Sequence, residues 1–228
     1  MILVTGPTGS GKTTTLYAAL AAARDETKNV VTVEDPVEYE LEGVTQTRVR
    51  PEIGLTFAAQ LRAILRQDPD VILVGEVRDG DTAEMVVRAA LTGHLVLSTL
   101  HTNSAAAAVA RLQDMDVPSY LLASSLAGVV AQRLVRLNCR HCRQPLAADD
   151  PEYEAATARL KLKPGTALYR GSGCENCGGT GQRGRIALIE MMPVNNAIRR
   201  AIIGHQDAGH LHDLAVENGM TTLWQDGL

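Results

Sequence analysis

An eight-residue segment near the start of the chain has the glycine spacing of a phosphate-binding loop. Gly6-Pro7-Thr8-Gly9-Ser10-Gly11-Lys12-Thr13 fits the pattern G-x-x-x-x-G-K-[ST]. The glycines let successive backbone N–H groups turn toward one point, where they hydrogen-bond phosphate oxygens. Lys12 is then expected to reach the β- and γ-phosphates, and the Thr13 hydroxyl to bind Mg²⁺. The motif, with Thr14 directly after it, predicts a site for a nucleoside triphosphate.

The residues on either side of this loop supply the strand and the helix that the motif requires. Residues 1–4 are apolar and lead into Thr5, so residues 1–5 predict a buried strand, and the Ala/Leu-rich residues 13–23 predict a helix. A chance match is the alternative for an eight-residue pattern, and these flanks make it the weaker interpretation.

Further polar clusters follow the other predicted strands of the first half. Strands at 29–33, 70–74 and 95–99 alternate with helices at 57–67 and 81–91, which is typical of a largely parallel sheet flanked by helices. Residues 104–136, rich in Ala, Leu and Ser, and residues 195–217 are also expected to be helical. In open sheets of this kind, ligands bind at the carboxyl ends of the strands. We therefore expect the polar clusters to meet at one edge of the sheet.

Two of these clusters are acidic. Glu76 follows Gly75 after a buried strand, where it is expected to hold metal-bound water or to polarise the attacking water; a solvated loop glutamate is the alternative. Glu34, Asp35 and Glu38 form the second cluster. Carboxylates beside a triphosphate serve as a Mg²⁺ ligand and as a general base, although Glu-Asp-Pro is also a common turn opener.

Histidine and arginine side chains complete the candidate nucleotide site. His94 and His101 bracket the predicted strand at 95–99, and His101 at its carboxyl end is expected to contact the γ-phosphate; a satisfied structural histidine is the alternative. Arg62 and Arg66 are spaced to share one helix face, and Arg78 follows the Glu76 cluster. Arginines that reach across a subunit boundary can stabilise a transferring phosphate, which is one interpretation of these three residues. The alternative, and the commoner outcome, is a solvated or salt-bridged helix face.

Four cysteines form two C-x-x-C knuckles, Cys139/Cys142 and Cys174/Cys177, with 31 residues between them. Two knuckles give four thiolates for tetrahedral Zn²⁺, although the spacer exceeds the commonest length. A redox pair would not need the second knuckle, so we expect a structural zinc site. Four arginines lie close to the first knuckle in sequence: Arg133, Arg136, Arg140 and Arg143. They predict either a docking face for acidic lipid or protein, or a solvated basic surface.

Composition limits the class of protein. The 228 residues are 45% hydrophobic and 21% charged, as in an ordinary globular protein. A net charge of −4 argues against a mainly electrostatic nucleic-acid binder, including a recombination or repair ATPase. We find no apolar run long enough to span a membrane and no signal peptide, and so expect an intracellular setting. Both ends look cut, so we expect a fragment of a longer protein.

In combination, these motifs resemble the secretion ATPases of type II secretion and type IV pilus machines. That family has, in order, a phosphate loop, an acidic Asp box, a Walker B with glycine before glutamate, a His box and a tetracysteine module. Here these are residues 6–13, 34–38, 71–76, 92–102 and the four cysteines. The cysteines count against the pilus retraction branch. Residues 33–39, 91–99 and 112–115 look most similar to the type II secretion branch, with the pilus assembly branch as near neighbour.

The resemblance implies an α/β fold and a division of the chain into three parts. A RecA-like P-loop NTPase core is expected in residues 1–136, with a small tetracysteine zinc module at 137–184. A C-terminal strand and helical segment, expected to be truncated, follows at 185–228. The family's N-terminal domains are expected to lie outside this chain.

The resemblance also implies an activity: hydrolysis of ATP to ADP and phosphate, at subunit interfaces of a hexamer, to power pseudopilus assembly and protein export. Glu38 and Glu76 would carry hydrolysis, His101 would sense phosphate, and Arg62, Arg66 and Arg78 would line the interface. The alternatives are a type IV pilus assembly ATPase and an ATP-gated scaffold with little turnover.

The implied cofactors are ATP, Mg²⁺ and Zn²⁺. The implied partners are proteins of the inner-membrane secretion platform, with peripheral membrane association through them and no nucleic acid. The family resemblance places the protein in the cytoplasm, at the inner face of the bacterial inner membrane.

Overall fold

The computed structural model describes residues 1–163 and 165–228. The chain forms two compact units. The first comprises Met1–Arg133 and Ile189–Asp226, and the second comprises Leu134–Leu188 with the last two residues. Among the described residues, no helix is long and apolar enough to cross a membrane.

A seven-stranded sheet carries the candidate nucleotide site, with the strands in the order β3-β2-β4-β5-β1-β6-β9. A separate sheet pairs β7 with β8. The strands are β1 (Ile2–Thr5), β2 (Val30–Glu34), β3 (Thr45–Arg48), β4 (Val71–Val74), β5 (Leu95–Leu100), β6 (Gly128–Asn138), β7 (Arg143–Pro145), β8 (Tyr169–Gly171) and β9 (Gln182–Pro193).

Helices follow most strands of the first half and continue near the end of the chain. They are α1 (Lys12–Ala23), α2 (Phe57–Ile64), α3 (Gly80–Leu91), α4 (Ala105–Asp114), α5 (Ser119–Ser125), α6 (Pro151–Leu160), α7 (Asn196–Ile203), α8 (Ala208–Glu217) and α9 (Leu223–Asp226). Short 3₁₀ turns lie at Pro51–Ile53 and Glu175–Cys177.

Strand pairing confirms the predicted parallel sheet and α/β fold. β1 runs parallel to both β5 and β6, β2 runs parallel to β3 and β4, and β4 runs parallel to β5. Parallel strands bring their carboxyl ends to the same edge. The segments that follow β1, β2, β4 and β5 therefore meet there.

The two faces of this sheet have separate apolar cores, because successive side chains of a strand point to opposite faces. Leu3 of β1 packs in one core with residues of α2, α3, α4 and α5. Its neighbour Val4 packs in the other, against Leu16, Tyr17 and Leu20 of α1. This second core fixes α1 directly behind the phosphate-binding loop.

Three sequence-based predictions of local structure were wrong. Residues 128–136, expected to be helical, form most of β6, because pairing with β1 over Gly128–Ala131 and with β9 on the other side makes this segment a strand. The helix expected over 57–67 ends at Ile64, and the amides of Arg66 and Gln67 then bond three residues back, to Ala63 and Ile64, as in a turn. The helical stretch expected over 195–217 is broken into α7 and α8 at Gly204 and His205. His205 has a φ of 52°, in the left-handed region, which interrupts the helix.

The second unit is small and held together by close backbone approaches. β7 and β8 pair antiparallel, and Arg170 of β8 forms a 2.6 Å ion pair with Glu152 of α6. Gly171 and Gly181 lie so close that a Cβ on either would overlap the other's carbonyl oxygen. The backbone of Gly181 also accepts a 2.8 Å hydrogen bond from the amide of Cys139. Only glycine fits at these two positions.

Candidate nucleotide and metal sites

The phosphate-binding loop has the backbone shape that its glycines predict. Gly9 and Gly11 have φ of 75° and 88°, in the left-handed region. A Cβ on Gly6 would overlap the carbonyl oxygen of Gln132 and lie 2.6 Å from the Ser10 hydroxyl. α1 begins at Lys12, so the loop amides lie at a helix N-terminus, which favours anions.

Lys12 is held at the mouth of the loop by the loop's own carbonyl groups. Its Nζ donates to the oxygens of Gly6 at 2.8 Å and Pro7 at 3.1 Å. Burial lowers the pKa of Lys12, the negative charge of Glu76 opposes this, and the nearby Arg133 lowers the pKa further. The loop carbonyl groups therefore orient the ammonium, which lies within electrostatic reach of Glu76 and Arg133.

A cleft of about 510 Å³ lies over this loop, within the range of about 300–1,000 Å³ typical of ligand pockets. Residues 8–14 line one side, and they include Thr13, the predicted Mg²⁺ ligand, and Thr14. Predicted site residues from three other strand ends line the rest: Glu34, Asp35, Glu38, Glu76 and His101. One cleft thus contains the clusters that were separate in the sequence.

Glu76 is the centre of a charged group in this cleft, and its side chain is 18% exposed. One carboxylate oxygen lies 3.4 Å from Nε2 of His101, and the other accepts a hydrogen bond from Arg78. Arg78 also pairs with Asp35 at 3.1 Å, and its hydrogen bond to Glu76 raises the pKa of the guanidinium. The group joins the ends of β2, β4 and β5.

Gly75, directly before the glutamate, packs against the end of β2. A Cβ at this position would lie 3.4 Å from both the Val33 oxygen and the Glu34 Cα. The amide of Gly75 donates to that same Val33 oxygen at 2.8 Å. A Cβ at this distance would make ordinary contact, so it is the backbone hydrogen bond that holds the end of β4 against β2 and brings Glu76 close to the acidic segment.

Glu34 is buried at the end of β2 and is bound by three donors. Thr32 donates at 2.6 Å and Gln46 at 3.1 Å to one oxygen, and the Tyr17 hydroxyl donates to the other. Burial and the bond to Glu34 raise the pKa of Tyr17 well above its usual value. Glu34 therefore fixes α1 against β2, while Glu38 beyond it is exposed in the cleft.

The remaining predicted residues lie elsewhere. Arg62 is exposed on α2 and Arg66 is exposed two residues beyond its end, and neither lines the cleft of this chain. His94 precedes β5, at the opposite end from His101, and its Nδ1 lies 2.8 Å from the Ala89 oxygen. Its position fits a structural histidine. An interface role for Arg62 and Arg66 stays a prediction.

Two neighbouring residues of β6 contact the site, although the sequence did not indicate them as site residues. Gln132 donates to the Ser10 oxygen and accepts from the Thr15 hydroxyl, both at 2.7 Å. Arg133, noted only as part of a basic approach, donates to the Asn103 side chain at 2.8 Å, two residues after His101. Because residues 128–136 were predicted to be helical, nothing in the sequence placed them beside the phosphate loop.

The residues of the loop fit a triphosphate. Within the described residues, the Ser10 hydroxyl is buried without a hydrogen-bond partner, so one donor remains available in the cradle. Gly6, Gly9 and Gly11 keep the backbone free of side chains, and Lys12 supplies positive charge. This set suits phosphate oxygens.

The four cysteines converge on one point in the second unit. The sulfur atoms of Cys139, Cys142, Cys174 and Cys177 all lie within 4.8 Å of one another. The separations are 3.9 Å for Cys139–Cys174, 3.9 Å for Cys142–Cys177 and 3.7 Å for Cys174–Cys177. Four sulfurs about 2.3 Å from a tetrahedral zinc ion are about 3.8 Å apart. The geometry fits zinc.

Backbone amides donate hydrogen bonds to one sulfur of this cluster and so favour its thiolate form. The Sγ atom of Cys177 accepts from the amides of Cys174 and Gly181, both at 3.2 Å. Burial raises the pKa of Cys142 to about 11. Burial also acts on Cys177, but the amide donors outweigh it and lower the pKa to about 6. Such N–H···S bonds orient and stabilise metal-ligating thiolates.

Comparison with known proteins gives matches along the whole chain. The family model described as type II/IV secretion system protein matches residues 1–228. Type II secretion system protein E of Pectobacterium carotovorum subsp. carotovorum is 55% identical over all of this chain and 45% of its own length. The type IV pilus assembly ATPase PilB of Thermus thermophilus is 50% identical over all of this chain and 26% of its own length.

A solved structure gives the same fold at lower identity. The crystal structure of the pilus retraction motor PilT with bound ADP is 32% identical, has a TM-score of 0.63, and covers 99% of this chain and 59% of that one. The chain thus spans less than half the length of the two curated relatives above.

Proposed function

Because the chain belongs to the type II/IV secretion system protein family, we propose that it is the catalytic region of an ATPase that powers pseudopilus assembly and protein export. The observation that carries this proposal is the meeting of Glu76, His101 and the phosphate loop in one cleft. The 55% identity to a protein named type II secretion system protein E favours the type II branch.

Each part of the cleft has a role in the proposal. The loop amides and Lys12 would bind the phosphates, and Thr13 would hold Mg²⁺, which when bound would neutralise charge on the transferring phosphoryl group. Glu76 orients or deprotonates the attacking water, and Glu38 is the second candidate base. His101, 3.4 Å from Glu76, contacts the γ-phosphate and reports its presence to that carboxylate.

The proposed assembly is a homo-hexamer with ATP between subunits. Arg62 and Arg66, exposed and outside the cleft of their own chain, would approach a neighbouring subunit's nucleotide, and Arg78 would line the same interface. Arginines supplied across a boundary accelerate phosphoryl transfer by about 10³–10⁵ where they act. We propose that the protein works in the cytoplasm, at the inner membrane, bound to secretion platform proteins.

The division of labour along the chain is part of the proposal. Residues 1–136 would form the RecA-like core, 137–184 the zinc module and 185–228 a C-terminal segment. Zinc in the second unit would be structural, because four thiolates leave no open coordination position for chemistry.

One observation favours a second candidate, an ATP-gated scaffold. Arg78 donates to one oxygen of Glu76 and His101 lies 3.4 Å from the other, so neighbouring side chains hold this carboxylate in place. In the scaffold, ATP binding would switch assembly and hydrolysis would be incidental.

Nucleotide binding tests the first step of the proposal. Titration calorimetry of the chain with Mg-ATP is expected to show binding that Lys12→Gln removes. Lys161→Gln serves as the control, because it removes one exposed lysine that lies outside the cleft. Equal Mg-ATP affinity in Lys12→Gln and the wild type would contradict the assignment of the loop.

A further inference from the structure

A concave basic groove lies in the second unit, close to the cysteine cluster. It measures about 600 Å³ and is lined by Arg140, His141, Arg143 and Arg183 together with three uncharged residues. No carboxylate lines it, in a chain whose net charge is −4. The groove is thus positively charged although the chain as a whole carries a net negative charge.

The arginines of the groove have no acidic partner among residues 1–163 and 165–228. The ion pairs of this unit include Arg170 with Glu152, but none of Arg140, Arg143 and Arg183 lies within 4 Å of a carboxylate. Three guanidinium groups in one concave surface repel one another. An anionic ligand relieves that repulsion and satisfies their donors.

The backbone of the groove is fixed by the surrounding fold. Arg140 and His141 lie inside the first C-x-x-C knuckle, and the amide of Arg143 donates to the Cys139 oxygen at 2.8 Å. The guanidinium of Arg143 stands 5.3 Å above the ring of Tyr169. Asn138 donates to the Tyr169 oxygen at 2.7 Å, which ties that strand to the knuckle. The backbone around Arg140 and Arg143 is therefore set, and Arg143 is also held against Tyr169.

Uncharged residues on the same surface indicate what kind of anion it suits. Tyr169 is 46% exposed and Leu137 is 37% exposed, so an aromatic ring and an aliphatic chain stand beside the arginines. Arginine and tyrosine together are characteristic of protein–protein interfaces and of their most important contact residues. A concave surface also accepts an extended chain better than it accepts the flat surface of a bilayer.

We propose that this groove, formed by Arg140, His141, Arg143, Tyr169 and Arg183, is the docking site for an acidic peptide segment of a partner protein. The aspartate and glutamate side chains of that segment would pair with the three arginines, and an apolar residue would contact Tyr169 and Leu137. This role goes beyond the proposed ATPase activity, and its test uses no nucleotide.

The probe is a fluorescently labelled nine-residue polyglutamate peptide, and the measurement is its anisotropy with the full chain at low and high salt. The variant Arg140→Gln/Arg143→Gln/Arg183→Gln is expected to bind about tenfold more weakly, since each exposed charge pair contributes modestly. The control Arg136→Gln/Arg159→Gln/Arg199→Gln removes the same charge from exposed positions outside the groove and is expected to bind like the wild type.

Folding is checked with the corresponding triple Arg→Lys variant, which keeps the charge and is expected to retain binding. Equal losses in the groove and control variants would overturn the proposal, because attraction would then depend on net charge alone. Absence of binding to the wild type at low salt would also overturn it. So would groove-dependent sedimentation with phosphatidylglycerol vesicles when the peptide does not bind, since the surface would then be a lipid site.

Discussion

Gln132 of β6 donates to the carbonyl oxygen of Ser10 and accepts from the hydroxyl of Thr15, with both distances at 2.7 Å. One buried amide therefore spans the phosphate loop and the first turn of α1. The next residue, Arg133, donates to Asn103, just after His101. β6 thus supports both sides of the nucleotide site, although it contributes neither the loop nor a predicted catalytic residue.

Gln132→Ala is expected to weaken Mg-ADP binding and to destabilise the fold. The substitution leaves the Thr15 hydroxyl without its acceptor and the Ser10 oxygen without its donor, at a cost of about 1–3 kcal/mol. Titration calorimetry and urea unfolding measure the two effects. Gln67→Ala, at an exposed position, is the control and is expected to change neither. Unchanged Mg-ADP affinity in Gln132→Ala would show that the phosphate loop keeps its shape without the Gln132 side chain.

Gly6→Ala is expected to abolish nucleotide binding, because a Cβ there overlaps the Gln132 carbonyl oxygen. Gly93→Ala is the matched control: its φ of 103° is also unfavourable for alanine, but nothing lies within 4 Å of the added carbon. Calorimetric titration with Mg-ADP compares the two. The account fails here if Gly6→Ala binds as tightly as Gly93→Ala.

Tyr17→Phe is expected to lower the free energy of unfolding by about 1–3 kcal/mol, because the buried Glu34 loses one of its three donors. Tyr120→Phe removes a hydroxyl from a side chain that is 63% exposed, and should change stability little. Urea denaturation at neutral pH measures both variants. Equal stability of Tyr17→Phe and the wild type would mean that Glu34 does not depend on this bond.

Removing the two cysteines of the second knuckle is expected to abolish zinc binding and to leave nucleotide binding unchanged. The variant Cys174→Ser/Cys177→Ser loses two of four converging thiols, and zinc measured by mass spectrometry should fall from about one per chain to none. Mg-ADP affinity should remain, since the phosphate loop belongs to the other unit. Unchanged zinc content in this variant would refute the assignment of the four cysteines as its ligands.

The sequence predicted those parts of the site that rest on local patterns. The phosphate loop and the strands that lead to Glu34, Glu76 and His101 follow from glycine spacing and apolar runs, and parallel pairing then brings their ends together. The family assignment made from these motifs is confirmed. The four cysteines converge as their spacing predicted.

The sequence failed where long-range pairing decides structure. Residues 128–136 were expected to be helical, and pairing with β1 and β9 makes them a strand. The roles of Gln132 and Arg133 follow from that pairing and were therefore missed. The burial of Glu34 was equally hidden, because its donors Tyr17 and Gln46 are 17 and 12 residues away in sequence.

ATP turnover by Glu76→Gln tests the central claim most directly. The chain is fused to a ring-forming hexameric tag, and phosphate release is compared with that of the untagged chain. The account predicts that turnover rises on hexamerisation and that Glu76→Gln lowers it by about 10²–10⁴-fold, the contribution typical of a general base. Turnover that is unchanged in Glu76→Gln would contradict the assignment of this carboxylate as the group that activates water.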